Sequence, residues 1–377
     1  MLRNCHNISD LRAMARRRLP GPVFHYLDGA AEDEITARRN TGAFDELRLV
    51  PHCLVDVSAI NTMTRVLGRD IAWPLLCSPT GASRLFHPDG ELAVARAAAA
   101  EETFYTLSTA STYSLEDVAA ATNGPKMFQV YVNKDRGETR ALIERCKHAG
   151  YDALCLAVDV PVVGKRERDL RTGFTIPPRL TPASFMSFAA HPAWLWGQMR
   201  KGPLTYASYE ARRDEASFVK RSRRLSAGLD PSVSWKDLGA FIDQWGGPFA
   251  LKGILSVADA KRAVDAGVSA IIVSNHGGRQ LDGAAAPIEM LPHIADAVGG
   301  HVEIILEGGV RRGVHVLKAL ALGATACAIG RPYLYGLGAG GQAGVARALE
   351  ILRAEFSVAM KLAGCADLQA IDRRLIL

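Results

Sequence analysis

The sequence predicts an α/β protein in the form of a (β/α)8 TIM barrel, with an N-terminal helical segment and a long insertion after the fourth strand. Three observations support this fold class. Short apolar runs recur eight times between about residues 73 and 335, helical segments separate them, and many of the runs end in glycine or polar residues. Because no second series of such units follows, we expect one domain over residues 1–377.

The segment before the barrel is predicted to be helical as far as about residue 40, with a suitable helix start at Asn7 to Asp10. Tyr26 lies in this segment, and its local sequence alone indicates a tyrosine that packs on an amphipathic helix. Residues 45 to 70 have an irregular pattern with some short strand.

The barrel itself is predicted from apolar runs that alternate with helical segments. The predicted helices that the pattern marks most clearly are 89–101, 136–149, 257–266 and 341–362. The predicted strands are 74–78, 104–107, 126–132, 153–158, 248–251, 270–273, 302–306 and 325–329.

Residues 172 to 234 are too long for a simple connection between a strand and a helix, and such insertions are usually functional. They contain an aromatic stretch near Phe185 to Trp196 and a basic cluster at 220–224. Aromatic rings beside cations suit a membrane interface, so residues 180–224 are a candidate for peripheral membrane contact. The alternative is a lid over the site with a solvated basic face.

Composition restricts the class of protein further. No apolar run reaches the roughly 18 residues needed to cross a bilayer, and the N-terminus has no signal-peptide pattern. The seven cysteines form no Cys-x-x-Cys pair, so we expect reduced thiols in a cytoplasmic protein and no metal site. The net charge of +6 fits phosphate-bearing ligands or anionic lipid, and we expect no nucleic acid partner.

The sixth predicted strand carries the first candidate site residues. It ends in Ser274-Asn275-His276-Gly277-Gly278-Arg279, which brings a histidine base and a planar arginine fork to the end of a strand. A His-x-x-Arg pair by itself is equally compatible with a core histidine beside a surface arginine. The seventh and eighth strands end in glycine turns with arginines, and in barrels these two loops commonly bind phosphate. The predicted phosphate ligands are Gly308, Gly309, Arg311, Gly330 and Arg331.

The motifs S-N-H-G-G-R-Q-L-D, G-G-V-R-R-G and I-G-R-P, together with V-S-W-K-D and L-K-G, resemble those of the FMN-dependent α-hydroxy-acid dehydrogenase and oxidase family. The resemblance extends over nearly the whole chain and is greatest to the bacterial, membrane-associated L-lactate and mandelate dehydrogenases. It implies that His276 takes a proton from the substrate and that Asp159 stabilises the imidazolium. It also implies that Arg279 and Arg166 bind the substrate carboxylate, while Tyr26 and Tyr131 donate hydrogen bonds to substrate oxygens. Transfer of electrons by a carbanion or by hydride stays open.

The same resemblance implies a set of FMN contacts. Lys252 is expected near the N1–C2=O edge of the flavin, where a positive charge stabilises the reduced form. The remaining expected cofactor contacts are Pro79, Thr80, Gly81, Ser108, Gln129, Ser274 and Glu307. Two positions depart from the family pattern: Ala157 replaces a threonine that contacts the flavin, and Glu307 replaces an aspartate that contacts the ribityl chain.

The acceptor and the substrate are inferred from single residues. Family members with glycine where Gly81 lies tend to be dehydrogenases that reduce quinone or cytochrome, and those with alanine tend to be oxidases. Ala110 leaves room for a larger substrate group, but the resemblance implies that the bacterial lactate and mandelate enzymes both have small residues there. L-lactate is therefore the first expectation, with S-mandelate or another aryl or long-chain 2-hydroxy acid open. A non-catalytic flavin-binding barrel is the remote alternative. Family members are often homotetramers, and we expect the same here.

Overall fold

The computed structural model describes residues 1–174, 181–209 and 227–377. Three helices form the predicted N-terminal segment: α1 (Ile8–Arg18), α2 (Gly21–Asp28) and α3 (Ile35–Glu46). Asn7 caps α1, because its side chain accepts the Asp10 backbone N–H. A two-stranded antiparallel hairpin, β1 (Thr64–Val66) and β2 (Arg69–Ile71), follows in the segment that was expected to be irregular with short strand.

Eight parallel strands then close into a barrel, which confirms the predicted fold class. Each strand follows its predecessor around the barrel, and the last strand pairs back to the first. The strands are β3 (Leu75–Cys77), β4 (Tyr105–Ser108), β5 (Lys126–Val130), β6 (Ala153–Ala157), β7 (Phe249–Ile254), β8 (Ala270–Val273), β9 (Glu303–Glu307) and β10 (Ala326–Ile329).

Helices surround this barrel, and every helix predicted between the strands is present. They are α4 (Gly90–Ala100), α5 (Leu115–Ala121), α6 (Arg136–His148), α7 (Glu167–Arg171), α8 (Pro182–Ala189), α9 (Pro192–Arg200), α10 (Trp235–Trp245), α11 (Val257–Asp265), α12 (Pro287–Val298), α13 (Gly313–Ala321) and α14 (Arg331–Ala363). The last helix begins at Arg331, ten residues before the predicted start near 341. Its backbone is non-helical at Gly340 and Gly341, so two helices meet there, and the second one corresponds to the predicted helix 341–362.

Small apolar side chains fill the interior of the barrel, as an eight-stranded barrel requires. Ala153, Cys155, Ala250 and Ala270 are buried there together with larger residues from other strands. The hairpin β1–β2 contributes to the same cluster, and the Leu67 N–H donates to the Glu303 carboxylate at 2.8 Å. The packed interior and the hairpin leave the carboxyl ends of the strands as the face on which a site can form.

The described part of the insertion, residues 181–209, packs against this face. Its helix α9 contacts the loop after β3: Trp194 Nε1 donates to the Leu85 carbonyl at 2.8 Å, and Gln198 Nε2 donates to the Arg84 carbonyl at 2.6 Å. The Arg84 guanidinium donates in return to the carbonyls of Lys201 and Gly202. The predicted basic cluster at 220–224 lies outside the described residues.

Candidate active site

His276 lies at the centre of the polar groups on the carboxyl-end face. Its Nδ1 is 3.1 Å from both carboxylate oxygens of Asp159, which follows β6. A carboxylate can only accept, so Nδ1 carries the proton and Nε2 is the basic nitrogen. Nε2 is 3.5 Å from the Tyr131 hydroxyl, which follows β5. The fold therefore brings a base, its carboxylate partner and a phenol together from three different strands.

Burial and neighbouring charges set the pKa values of the groups beside His276. Burial alone would raise the pKa of Asp159, but the charges of His276 and Lys252 keep it below its ordinary value. Burial raises the pKa of Tyr131 well above its ordinary value. Asp159 is therefore an anion and Tyr131 a neutral phenol at neutral pH.

The backbone that carries His276 is unusual. His276 has φ +59°, and Gly277 and Gly278 follow with φ +65° and +75°. Three consecutive residues in the left-handed region form a tight turn, which a non-glycine residue adopts only with support from its surroundings. Part of that support is local, because the His276 N–H donates to Ser274 Oγ at 3.0 Å.

Two arginines flank Tyr26. The guanidinium carbons of Arg166 and Arg279 each lie 5.3 Å from the centre of its ring. Arg279 Nη1 also donates to the carbonyls of Tyr26 and Gly29, at 3.0 and 2.8 Å. Burial, and then the charges of Arg166 and Arg331, lower the pKa of Arg279. A bound carboxylate would offset the repulsion between these buried cations.

Asp169 is the carboxylate already present beside the arginines, with Oδ2 3.5 Å from Arg166 Nε. The Tyr26 ring itself stacks near Phe86 and meets Phe174 edge to face, at 6.3 and 5.6 Å between ring centres. The arginine pair therefore faces an aromatic wall, which suits a substrate with a carboxylate at one end and an apolar group at the other.

Lys252, Ser274 and Glu307 form a second buried group. Lys252 Nζ is 2.7 Å from Glu307 Oε1 and donates to Ser274 Oγ at 3.1 Å, and Ser274 Oγ donates to Glu307 Oε1 at 2.9 Å. Burial would lower the pKa of Lys252, but the charges of Glu307 and Asp159 raise it. Lys252 is therefore a fixed cation, 2% exposed, at the inner end of the site.

Several buried polar atoms at this face accept or donate no hydrogen bond within the described ranges. They include a donor on Gln129 (Nε2), an acceptor on Glu307 (Oε2) and a donor on Arg331 (Nε). Gln129 is oriented by Ser108, whose hydroxyl donates to Gln129 Oε1 at 3.0 Å. A buried polar atom without a partner is costly. The carbonyls, hydroxyls and phosphate of FMN offer the complementary acceptors and donors, so these residues fit the cofactor that the sequence predicts.

The turns after β9 and β10 have the geometry of an anion cradle. Gly308 and Gly309 have φ +128° and +81°, and Gly330 directly precedes the first turn of α14. Arg311 is half-buried in the turn after β9 and donates to the Val310 carbonyl. Arg331 donates to the carbonyls of Gly277 and Gly29, at 2.9 and 2.8 Å. Both arginines thus donate to backbone carbonyls, and the Gly29 carbonyl accepts from Arg331 as well as from Arg279.

The loop after β3 carries the other predicted flavin contacts. Thr80 Oγ1 is 2.7 Å from the Tyr333 hydroxyl, which also donates to the Ser78 carbonyl. Pro79 lies half-buried in the same loop. A Cβ added to Gly81 would lie 3.0 Å from the Ala110 Cβ, so the space beside Gly81 is limited by the loop after β4.

Sequence reasoning did not identify Asn40 and Gly29, although both contact the predicted site residues. Their signal in the sequence is weak because neither lies in a recognisable motif, and their partners are distant in the chain. A cavity of about 290 Å³ also borders Ala157 and Tyr131, lined on its other sides by residues such as Leu156, Leu251 and Trp235. His276 and Arg279 are not part of its lining, so it lies beside the candidate site and not within it.

Comparison with known proteins agrees with this geometry. A sequence model of the family described as FMN-dependent dehydrogenase matches residues 15–377. The chain is 45% identical to L-lactate oxidase of Nostoc sp. over 97% of this chain and 96% of that protein. It is 42% identical to a putative L-lactate dehydrogenase of Mycobacterium tuberculosis, over 97% and 88%. The solved structure of (S)-mandelate dehydrogenase, described as a monotopic membrane protein, aligns with a TM-score of 0.96 and 37% identity over 99% of both chains.

Proposed function

The chain belongs to the FMN-dependent dehydrogenase family and oxidises 2-hydroxy acids with FMN, and from this premise we propose that it converts L-lactate to the 2-keto acid and reduces a quinone or a cytochrome. The observation that carries the proposal is the position of His276, between the Asp159 carboxylate and the Tyr131 phenol and on the same face as two arginines.

Oxidation of a 2-hydroxy acid removes two electrons and two protons from the carbon and oxygen at C2. Bound FMN would accept the two electrons and one of the two protons, and His276 the other proton. His276 takes a proton at Nε2, and the Asp159 carboxylate stabilises the imidazolium that results, since a nearby negative charge favours the protonated ring. Tyr131 stays protonated and donates its hydrogen bond to a substrate oxygen.

The substrate carboxylate binds Arg279 and Arg166, and Tyr26 supplies a further hydrogen bond. Because Arg279 is already fixed by the carbonyls of Tyr26 and Gly29, little ordering of its side chain accompanies binding. Lys252 holds a positive charge beside the flavin ring, where negative charge accumulates on reduction.

The remaining cofactor roles follow the same assignment. Ser108, Gln129 and Ser274 would line the ring together with Pro79, Thr80 and Gly81. Glu307, whose Oε2 has no partner in the described residues, would accept a hydrogen bond from the ribityl chain. Gly308, Gly309, Arg311, Gly330 and Arg331 would hold the phosphate.

Lactate is favoured as substrate because two of the relatives described above are named for it. S-mandelate is the second candidate, favoured by the small side chain of Ala110 and by the mandelate dehydrogenase likeness. Gly81 favours a dehydrogenase over an oxygen-dependent oxidase, because family members with glycine at this position tend to be dehydrogenases. An alanine there would bring its Cβ to 3.0 Å from the Ala110 Cβ.

Peripheral contact with the inner face of the cell membrane is proposed through residues 180–224. In the described part of the chain no helix combines the length and apolarity needed to cross a bilayer. Helices α8 and α9 nevertheless expose large apolar side chains, among them Phe185 (65%), Trp196 (61%) and Met199 (75%). Co-sedimentation with anionic vesicles, reduced in Trp196→Ser, is the expected result. Binding that does not depend on Trp196 would contradict this surface.

Anaerobic stopped-flow reduction of the FMN-loaded protein tests the reaction. Bleaching of the flavin absorbance by L-lactate, at a higher kcat/KM than by S-mandelate, is expected. The reduced enzyme is then mixed with oxygen or with a soluble quinone, and faster reoxidation by the quinone is expected. No bleaching by any 2-hydroxy acid, with FMN bound, would overturn the assignment. Faster reoxidation by oxygen would make the protein an oxidase.

A further inference from the structure

Asn40 on α3 is buried, 2% exposed, and pairs with a single partner residue through both ends of its amide. Its Nδ2 donates to Asn275 Oδ1 at 2.8 Å, and Asn275 Nδ2 donates to Asn40 Oδ1 at 2.7 Å. A reciprocal pair of this kind fixes the orientation of both amides, since turning either one would place two like groups against each other.

Asn275 directly precedes His276 and organises the turn that carries it. Its Oδ1 also accepts the Gly278 N–H at 3.1 Å, and its Nδ2 also donates to the Ala285 carbonyl at 3.0 Å. These bonds span the three consecutive left-handed residues, 276–278. The amide pair therefore supports the strained backbone from which the His276 ring projects toward Asp159.

The same helix also contacts the turn after β9. A Cβ added to Gly309 would lie 1.8 Å from the Asn40 carbonyl oxygen, so the two backbones are in direct contact. One helical turn further, the Phe44 ring stacks on His315 with 4.3 Å between ring centres and 8° between planes. His315 Nδ1 accepts the Arg311 N–H at 3.3 Å. One face of α3 thus packs on the predicted phosphate turn at two points.

We infer that Asn40 is a positioning residue that holds the His276 turn and the phosphate turn in one fixed arrangement. Asn40 is hydrogen-bonded to Asn275 and not to His276 itself. It therefore acts on the His276 turn through Asn275, and on Gly309 through its own backbone carbonyl. The inference about His276 rests on the proposed function, while the inference about the phosphate turn rests on FMN binding alone.

The test compares Asn40→Ala, Asn40→Asp, Asn275→Ala and the double variant Asn40→Ala/Asn275→Ala with the unmodified enzyme. Asn40→Asp keeps the side-chain volume, so it separates loss of the amide pair from a packing defect. Asn123→Ala, at an exposed asparagine, is the matched control. Two quantities are measured: the rate of flavin reduction by L-lactate at saturating FMN, and the Kd for FMN from the fluorescence of FMN titrated with apoprotein.

We expect each single variant to reduce the rate at saturating FMN by about tenfold, the effect of losing a buried hydrogen bond. The double variant should be no slower than Asn275→Ala alone, because Asn40 acts on this turn through Asn275, which also binds Gly278 and Ala285. The Kd for FMN should rise in the two Asn40 variants, because α3 then loses its bond to Asn275 and the Asn40 carbonyl can move against Gly309. The control should match the unmodified enzyme.

Multiplicative rate losses, or Asn40→Asp with a rate and a Kd within twofold of the unmodified enzyme, would overturn the inference. A variant that only melts at a lower temperature, with both quantities unchanged, would assign Asn40 a purely structural role and overturn it as well. If Asn40→Ala fails to fold, Asn40→Asp and Asn275→Ala carry the comparison. If no 2-hydroxy acid reduces the flavin, the proposed function fails, whereas the Kd measurements still test the contact with the phosphate turn.

Discussion

The substrate side and the phosphate side of the site are held by different means. On the substrate side, side chains hold one another: His276 pairs with Asp159, and Arg166 pairs with Asp169. On the phosphate side, backbone geometry dominates, with glycines in positive φ and Arg331 bonded to carbonyls. The charge of the side chains should therefore determine how the substrate side functions, and the space around the backbone should determine how well the phosphate side binds FMN. Substitutions on the two sides should affect different measured quantities, the reaction rate and the FMN affinity.

The largest expected effect is on the substrate side, in His276→Gln. Glutamine can still hydrogen-bond to Asp159 but cannot take a proton, so flavin reduction should slow by about 10³-fold, within the range for loss of a general base. Stopped-flow reduction by the 2-hydroxy acid measures this rate. The Kd for FMN, measured on the same preparation, should stay within a few-fold of the unmodified value.

A large loss of FMN affinity in His276→Gln would remove the distinction between the two sides. A rate close to that of the unmodified enzyme would also contradict the prediction, because another residue would then be the base.

On the phosphate side the comparable change is Gly309→Ala, for which the chain contains a close control. Gly309 and Gly300 have φ of +81° and +82°, so an alanine at either position adopts the same unfavourable backbone. Only the Cβ at 309 meets a backbone oxygen, at 1.8 Å, whereas nothing lies within 4 Å of a Cβ at 300. Overpacking against backbone should weaken FMN binding by about 100-fold in Gly309→Ala.

Titration of the apoprotein with FMN measures this difference, and Gly300→Ala should bind FMN like the unmodified protein. Equal Kd values for the two variants would show that the contact between Gly309 and Asn40 yields without moving the phosphate ligands.

An effect of intermediate size on kcat/KM is expected for Tyr131→Phe. Its pH dependence tests whether the Tyr131 phenol stays neutral. Burial raises the pKa of Tyr131 above the ordinary value of about 10, so the phenol keeps its proton as the pH rises past that value. Loss of its hydrogen bond should lower kcat/KM by about tenfold. The factor should be the same at pH 7 and pH 9.5. A ratio that approaches one at pH 9.5 would mean that a phenolate forms.

The sequence predicts the barrel well because the fold depends on local patterns. Strands buried on both faces are continuous apolar runs, and all eight were recognisable for that reason. The candidate site residues at the ends of β8, β9 and β10 were equally easy to predict, because the glycines and charged residues there are adjacent in the chain.

Side-chain pairs between residues that are distant in the chain could not be predicted from the sequence. Lys252 and Glu307 were each assigned to the cofactor, but their ion pair depends on β7 and β9 being brought into register by the closed barrel. Asn40 and Asn275 are 235 residues apart, and no local pattern connects them. The first part of α14, residues 331–339, was not predicted, because glycines at 336, 338, 340 and 341 weaken a helical pattern.

The smallest expected effect concerns Ala157, which lies on the wall of the site at the end of β6 and is 8% exposed. Threonine at this position should add a hydroxyl toward the flavin, while valine adds the same volume without one. Because one neutral hydrogen bond contributes about 1 kcal/mol, Ala157→Thr should bind FMN about fivefold more tightly than Ala157→Val. Fluorescence titration of the two apoproteins measures the ratio. If the two variants have the same Kd, the side chain at this position does not face a polar atom of the flavin.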